Sequence, residues 1–147
     1  MSSIVVGIEP GQTPTVLITA ASIAADLGAK VEVIFADSGR YVTERLPEHN
    51  VLGTSEAQFP EELAELVAAH LLGVDYELHS VPGDPAKVLS AVAEEVDARM
   101  IVIGTRRPGL RNKLAQFIDG SIAVALAQKQ TRPVLVIPQQ IINLPEE

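Results

Sequence analysis

Residues 74–104 read VDYELHSVPGDPAKVLSAVAEEVDARMIVIG, and this stretch decides the fold. Val74, Tyr76 and Leu78 alternate with Asp75, Glu77 and His79, the period of two expected of a half-exposed strand at a sheet edge. Asp84 follows as a helix N-cap with Pro85 in the first helical position. Val88, Leu89, Val92, Ala93 and Val96 then recur at helical spacing. Met100 to Ile103 is a short, β-branched, continuous apolar run, which fits a strand covered on both faces. A strand, a helix and a buried strand in succession make a parallel unit with a right-handed crossover.

The same pattern extends in both directions. Ile4 to Ile8 and Val134 to Ile137 are further apolar runs, and Val31 to Ala36 is a strand candidate interrupted only at Glu32. Val16, Ala20, Ile23, Ala24 and Leu27 form a helical stripe, with Thr13 and Pro14 as start signals and Gly28 as the stop. Leu63, Leu66, Val67, His70 and Leu71 form another between Pro60 and Gly73, and Ile122, Ala125 and Leu126 mark one starting near Gly120-Ser121. The order β-α-β-α-β-α-β-α-β predicts a doubly wound α/β domain. We expect one domain over residues 1–147, with 138–147 as a C-terminal tail. The 23 residues from Asp37 to Phe59 have no assignment.

Composition narrows the function. With 147 residues, 47 % of them hydrophobic, the chain is globular and long enough for a single core. It contains no cysteine, which excludes disulfides, thiolate metal sites and a Cys nucleophile. A net charge of −8 argues against nucleic acid as a partner. The start MSSIVVGIEP does not read as a signal peptide, and no stretch reads as a membrane span. His49, His70 and His79 show no metal-ligand spacing. His70 reads as a histidine packed at the core margin, and His79 as a solvated residue on the outward face of its strand.

Ligands in an open α/β sheet bind beyond the carboxyl ends of the strands, at the switch in strand order. Three strand ends therefore matter: Ile8-Glu9-Pro10-Gly11, Phe35-Ala36-Asp37, and the loop that begins Gly104-Thr105-Arg106-Arg107-Pro108-Gly109. The last combines glycines at 104, 109 and 120 with Arg106, Arg107, Arg111 and Lys113, and it ends where Ser121 opens a helix. Free N–H groups at a helix start and glycines that admit close approach suit a phosphate; a solvated basic connector is the alternative. Gly104-x4-Gly109 is not a Walker A loop, because Leu110-Arg111 stands where Lys-Ser/Thr is needed. No G-x-G-x-x-G or G-x-S-x-G motif is present.

The opening strand IVVGIEP, the segment GVDYELHSVPGDPAKVLSAVAEEVDARMIVIGTRR and the close GSIAVALAQKQTRPVLVIP together resemble a single-domain bacterial universal stress protein (Usp). The resemblance spans almost the whole chain. It implies a five-stranded parallel sheet in the order 3-2-1-4-5, of the adenine-nucleotide alpha-hydrolase-like kind, and a cytoplasmic regulatory module. Many members bind ATP through G-x2-G-x9-G-[ST] after the fourth strand. Carried over, Gly104 is the first glycine and Gly120-Ser121 the closing pair, with the N–H groups of Ser121 and Ile122 on phosphate. Ile8, Glu9 and Pro10 lie at the end of the first strand, with Glu9 where the family usually has Asp toward the ribose. Ala36 supplies backbone on the adenine side, and Thr105, Arg106, Arg107 and Gly109 complete the loop.

Two departures are plain. Arg107 stands where the pattern has its second glycine, and 15 residues separate Gly104 from Gly120, more than the pattern has. Gly109 in a longer loop is one resolution, and phosphate held by the Arg106 and Arg107 forks is another. The expected ligand is ATP, with or without magnesium, and no protein metal ligand is assigned. The alternative is a nucleotide-free Usp acting through dimerisation and protein partners. No base, metal carboxylate and positioned cation can be named together, so efficient ATP hydrolysis is not expected. The order 3-2-1-4-5 places Val134, Leu135, Val136 and Ile137 on an edge, and an apolar edge invites pairing. A homodimer through this strand, with Ile141 of the tail reaching across, is therefore expected.

Overall fold

The structure is a computed structural model that describes residues 2–37, 52, 59–105, 122–128 and 130–138. Strand β1 (Ser3–Ile8) leads through α1 (Thr15–Leu27) to β2 (Lys30–Asp37) and then α2 (Glu61–His70). Next come β3 (Tyr76–Pro82), α3 (Pro85–Val96) and β4 (Ile101–Gly104). A helical segment at 122–128, here α4, precedes β5 (Val134–Ile137). The strands form one parallel sheet in the order β3-β2-β1-β4-β5.

Alternation along β1 explains why its sequence is apolar throughout. Ile4, Val6 and Ile8 face one way, into a cluster with Val16, Leu17, Ala20 and Ala24 of α1 and Leu63 and Val67 of α2. Val5 faces the other way, toward Val88, Leu89, Val92 and Ala93 of α3 and Leu126 of α4. Both faces of the central strands are thus covered, the arrangement that continuous β-branched runs require. The helix signals operate as local chemistry dictates. The Lys87 N–H donates to the Asp84 carboxylate at 3.1 Å, and Gly28 closes α1 at φ 64°, a left-handed conformation that glycine adopts without steric cost.

Three expectations change. The α1 stripe buries Leu17 and leaves Leu27 exposed, a small rotation of the buried face. The third strand begins at Tyr76 and continues to Pro82, because its pairing with β2 runs from Val31↔Tyr76 to Asp37↔Pro82. His79 is not solvated: its side chain retains 15 % exposure and lies against the Glu32 carboxylate. His70, by contrast, sits half-buried with Nδ1 3.0 Å from the Leu66 carbonyl oxygen, at the core margin.

At the far edge, Arg132 anchors the approach to β5. Its Nε donates to the Ala98 carbonyl at 3.0 Å, and its other nitrogens reach Glu94 at 3.4 Å and Asp97 at 2.9 Å. None of the helices among the described residues is long and apolar enough to cross a membrane.

Candidate nucleotide-binding cleft

The cleft begins where β1 and its neighbours part. β1 stays paired with β2 as far as Ile8↔Phe35, whereas its register with β4 covers Val5↔Ile101 and Val6↔Val102. Beyond that point the carboxyl ends of β1 and β4 open into a cleft. This is the topological switch of the sheet, the usual ligand position in such folds. Gly7, Ile103 and Gly104 form its floor, Ile34 and Ala36 one wall, and Pro85, Leu89 and Ile122 the helix side. Glu9 and Gln12 also line the space, and Glu9 is the charged residue among the described lining residues.

Local sequence explains this shape. A Cβ on Gly7 would lie 2.8 Å from Leu89 Cδ1 and 3.1 Å from Cδ2. Glycine at this point lets α3 settle directly on the β1 backbone and brings Leu89 to the helix side of the cleft. After the strand, the Gln12 N–H donates to the Glu9 carbonyl at 3.3 Å, with Gly11 at φ 85°. Pro10 and a positive-φ Gly11 in the central positions make a type II turn. The Gln12 side chain reinforces it, its Oε1 accepting from the Glu9 N–H at 3.3 Å. Glu9 is therefore held by its own backbone at the end of β1.

Of the residues expected to hold a ligand, Ile8, Glu9, Ala36, Gly104 and Ile122 line this one space. Pro10 lies in the turn beside it. The Thr105 N–H donates to the Ile137 carbonyl at 3.0 Å, which ties the end of β4 to β5. Arg106, Arg107, Gly109, Gly120 and Ser121 lie outside the described residues, as does Ile141. Sequence reasoning missed Gly7, Gln12, Ile34, Pro85, Leu89 and Ile103 as lining residues. The one signal available was Gly7 itself, a residue without a side chain inside an otherwise apolar strand.

A family model described as the universal stress protein family matches residues 1–138. The chain belongs to the universal stress protein family. Among solved structures, a universal stress protein from Archaeoglobus fulgidus is 26 % identical, covers 93 % of each chain and superposes with a TM-score of 0.61. A structure from the same organism in complex with dAMP is 25 % identical, covering 93 % of this chain and 98 % of that one, with a TM-score of 0.60. A universal stress protein in complex with cAMP, 24 % identical and covering 94 % and 97 % of the two chains, shares the fold at a TM-score of 0.60. A sequence search of curated proteins returns no significant match.

A second polar centre in this universal stress protein lies toward the other end of the sheet. His79 Nε2 donates to Glu32 Oε1 at 2.8 Å, and Lys30 Nζ reaches Glu32 Oε2 at 3.3 Å and Glu77 Oε2 at 3.2 Å. The hydrogen bond from His79 holds the Glu32 carboxyl below its ordinary value; burial opposes this and Lys30 supports it. Burial pulls the Lys30 ammonium down, but the bond to Glu77 and the charge of Glu32 outweigh it and raise its pKa. A nearly buried carboxylate is thereby kept charged inside a strand.

Proposed function

We propose that this universal stress protein binds an adenine nucleotide in the cleft between β1 and β4, with ATP, alone or with magnesium, as the ligand. The observation that carries this reading is the fork itself. It offers an apolar slot between Ile34, Ala36 and Leu89, a carboxylate at Glu9, and bare backbone at Gly104. The slot suits a flat base and Glu9 can accept from ribose hydroxyls. The backbone after β4, at Ser121 and Ile122, would meet phosphate oxygens, with Arg106 and Arg107 adding charge. The relative bound to dAMP, which covers nearly all of both chains, supports the same class of ligand.

The test is direct. Denature the purified protein, analyse the supernatant for nucleotide, and titrate AMP and ATP by calorimetry. Retained adenine nucleotide or saturable heat is expected. Neither one, at millimolar ligand, would favour the alternative of a nucleotide-free member acting through its dimer or protein partners, to which Arg107 in a glycine position lends support. Gly120→Val should abolish binding with the fold retained; unchanged affinity would put the phosphate elsewhere.

We also propose that two copies pair through β5 to form a homodimer. Val134–Ile137 occupies the edge of the sheet beyond β4, carries no charge and leaves Leu135 exposed. Such an edge offers both hydrogen-bonding groups and apolar surface to a second copy.

A further inference from the structure

β2 and β3 are parallel and in register, with Glu32 opposite Glu77 and Ile34 opposite His79. Side chains alternate along a strand, so Lys30, Glu32, Glu77 and His79 all project from one face. The two carboxylates divide their oxygens between two partners. Lys30 takes Oε2 of each, while His79 Nε2 lies 2.8 Å from Glu32 Oε1 and 3.6 Å from Glu77 Oε1. One nitrogen and two oxygens, from residues that can each ligate a metal, thus lie within 4.8 Å of one another. For ligand bonds of about 2.0–2.1 Å, the edge of a tetrahedron is about 3.3 Å. The two His79 distances fall on either side of that length, and two paired strands fix the backbone beneath all three residues.

We propose that Glu32 Oε1, Glu77 Oε1 and His79 Nε2 form a site for one divalent transition-metal ion, with zinc as the best match. The ion takes the place of the proton that His79 Nε2 shares with Glu32. The bound imidazole is neutral, with Nε2 on the ion and its one proton on Nδ1; any second ring proton is released to solvent. Mixed imidazole and carboxylate donors suit zinc, whereas calcium requires six or more oxygens. Glu32 is nearly buried and Glu77 is 56 % exposed at its side chain, so the ion and a water for its fourth position enter from the Glu77 side. Lys30 remains on the Oε2 atoms, orients both carboxylates and offsets one of their charges. Glu32 precedes Ile34, a wall of the cleft, by two residues, about 7 Å along an extended strand. None of the three proposed ligands lines the cleft, so zinc and nucleotide would be held by different residues.

The experiment titrates zinc chloride into the full chain by calorimetry, in nucleotide-free buffer. One ion per chain is expected, with affinity weakened roughly tenfold or more by Glu77→Gln and binding abolished by His79→Gln. No heat at millimolar zinc would overturn the proposal. So would both variants titrating like the parent, because the ion would then sit on other residues such as His49 or His70. Circular dichroism checks that each variant folds. Should His79→Gln fail to fold, the half-exposed Glu77→Gln decides the matter alone.

Discussion

The two edges of this sheet are built on opposite principles. The β3 edge carries Glu77 and His79, tied to Lys30 and Glu32 on the neighbouring strand. The β5 edge is Val-Leu-Val-Ile, without charge and with Leu135 exposed. Charged side chains on an edge discourage a further strand, whereas an apolar edge invites one. One parallel sheet thus has a side closed by its own ion pairs and a side available to a second copy. The closed side also places a charge next to the core, so its cost and its stabilisation both depend on a few contacts.

The largest effect should come from breaking the open edge. Leu135→Lys places a charge where a partner strand would lie, and light scattering after size exclusion should show a dimer converted to monomer. A parent chain already monomeric at micromolar concentration would remove the contrast between the edges. Next is the closed edge. Glu32→Ala deletes the acceptor that His79 and Lys30 share and should cost about 2–3 kcal/mol in urea unfolding. A loss near zero would mean that the ion pairs seal the edge without stabilising it.

The pH dependence of that edge has a definite sign. The Glu32 pKa is lowered in the folded state, so its contribution is present above the unfolded value of about 4.3 and is lost as pH falls through the lower folded value. The Lys30 pKa is raised, so its contribution is complete below an unfolded value of about 10.4 and fades as pH rises through the folded one. Stability should therefore decline at both extremes, and Glu32→Gln should flatten the acid limb in urea titrations from neutral to acidic pH. If the variant and parent lose stability in parallel on acidification, Glu32 is not the group responsible. Smaller still is Gly7→Ala, which forces the flexible end of Leu89 to move and should cost about 1 kcal/mol. The smallest change is expected from Glu77→Gln, within about 0.5 kcal/mol without metal, because the carboxylate is half-exposed.

Particular elements show what could be read in advance. β1 and β4 were legible as unbroken apolar runs, because a strand covered on both faces leaves no position for a polar residue; β5 reads as the same kind of run although only Ile137 of it is buried. α3 was legible down to its cap, since Asp84 and Pro85 act within a single turn. Glu9, Ala36 and Gly104 were legible as neighbours around one cleft, since strand ends in such a sheet converge at the switch. Gln12 was not, because its role is a bond to the Glu9 backbone within a turn whose geometry had to be seen. Leu89 read as core and also lines the cleft, a distinction that depends on how closely α3 approaches Gly7.

His79 marks the boundary most clearly. Alternation read it as solvated on the outward face of an edge strand, whereas the fold lays it against a carboxylate 47 positions away. The amino-acid sequence by itself determined which segments are strands and helices and the order in which they come, because periodicity and capping act over a few residues. Only the tertiary structure decided that Glu32 meets both Lys30 and His79, that β1 and β4 part above Gly7, and that the β5 edge leaves Leu135 exposed. Those features depend on which strands lie side by side and in what register, and that is set by packing across the whole sheet.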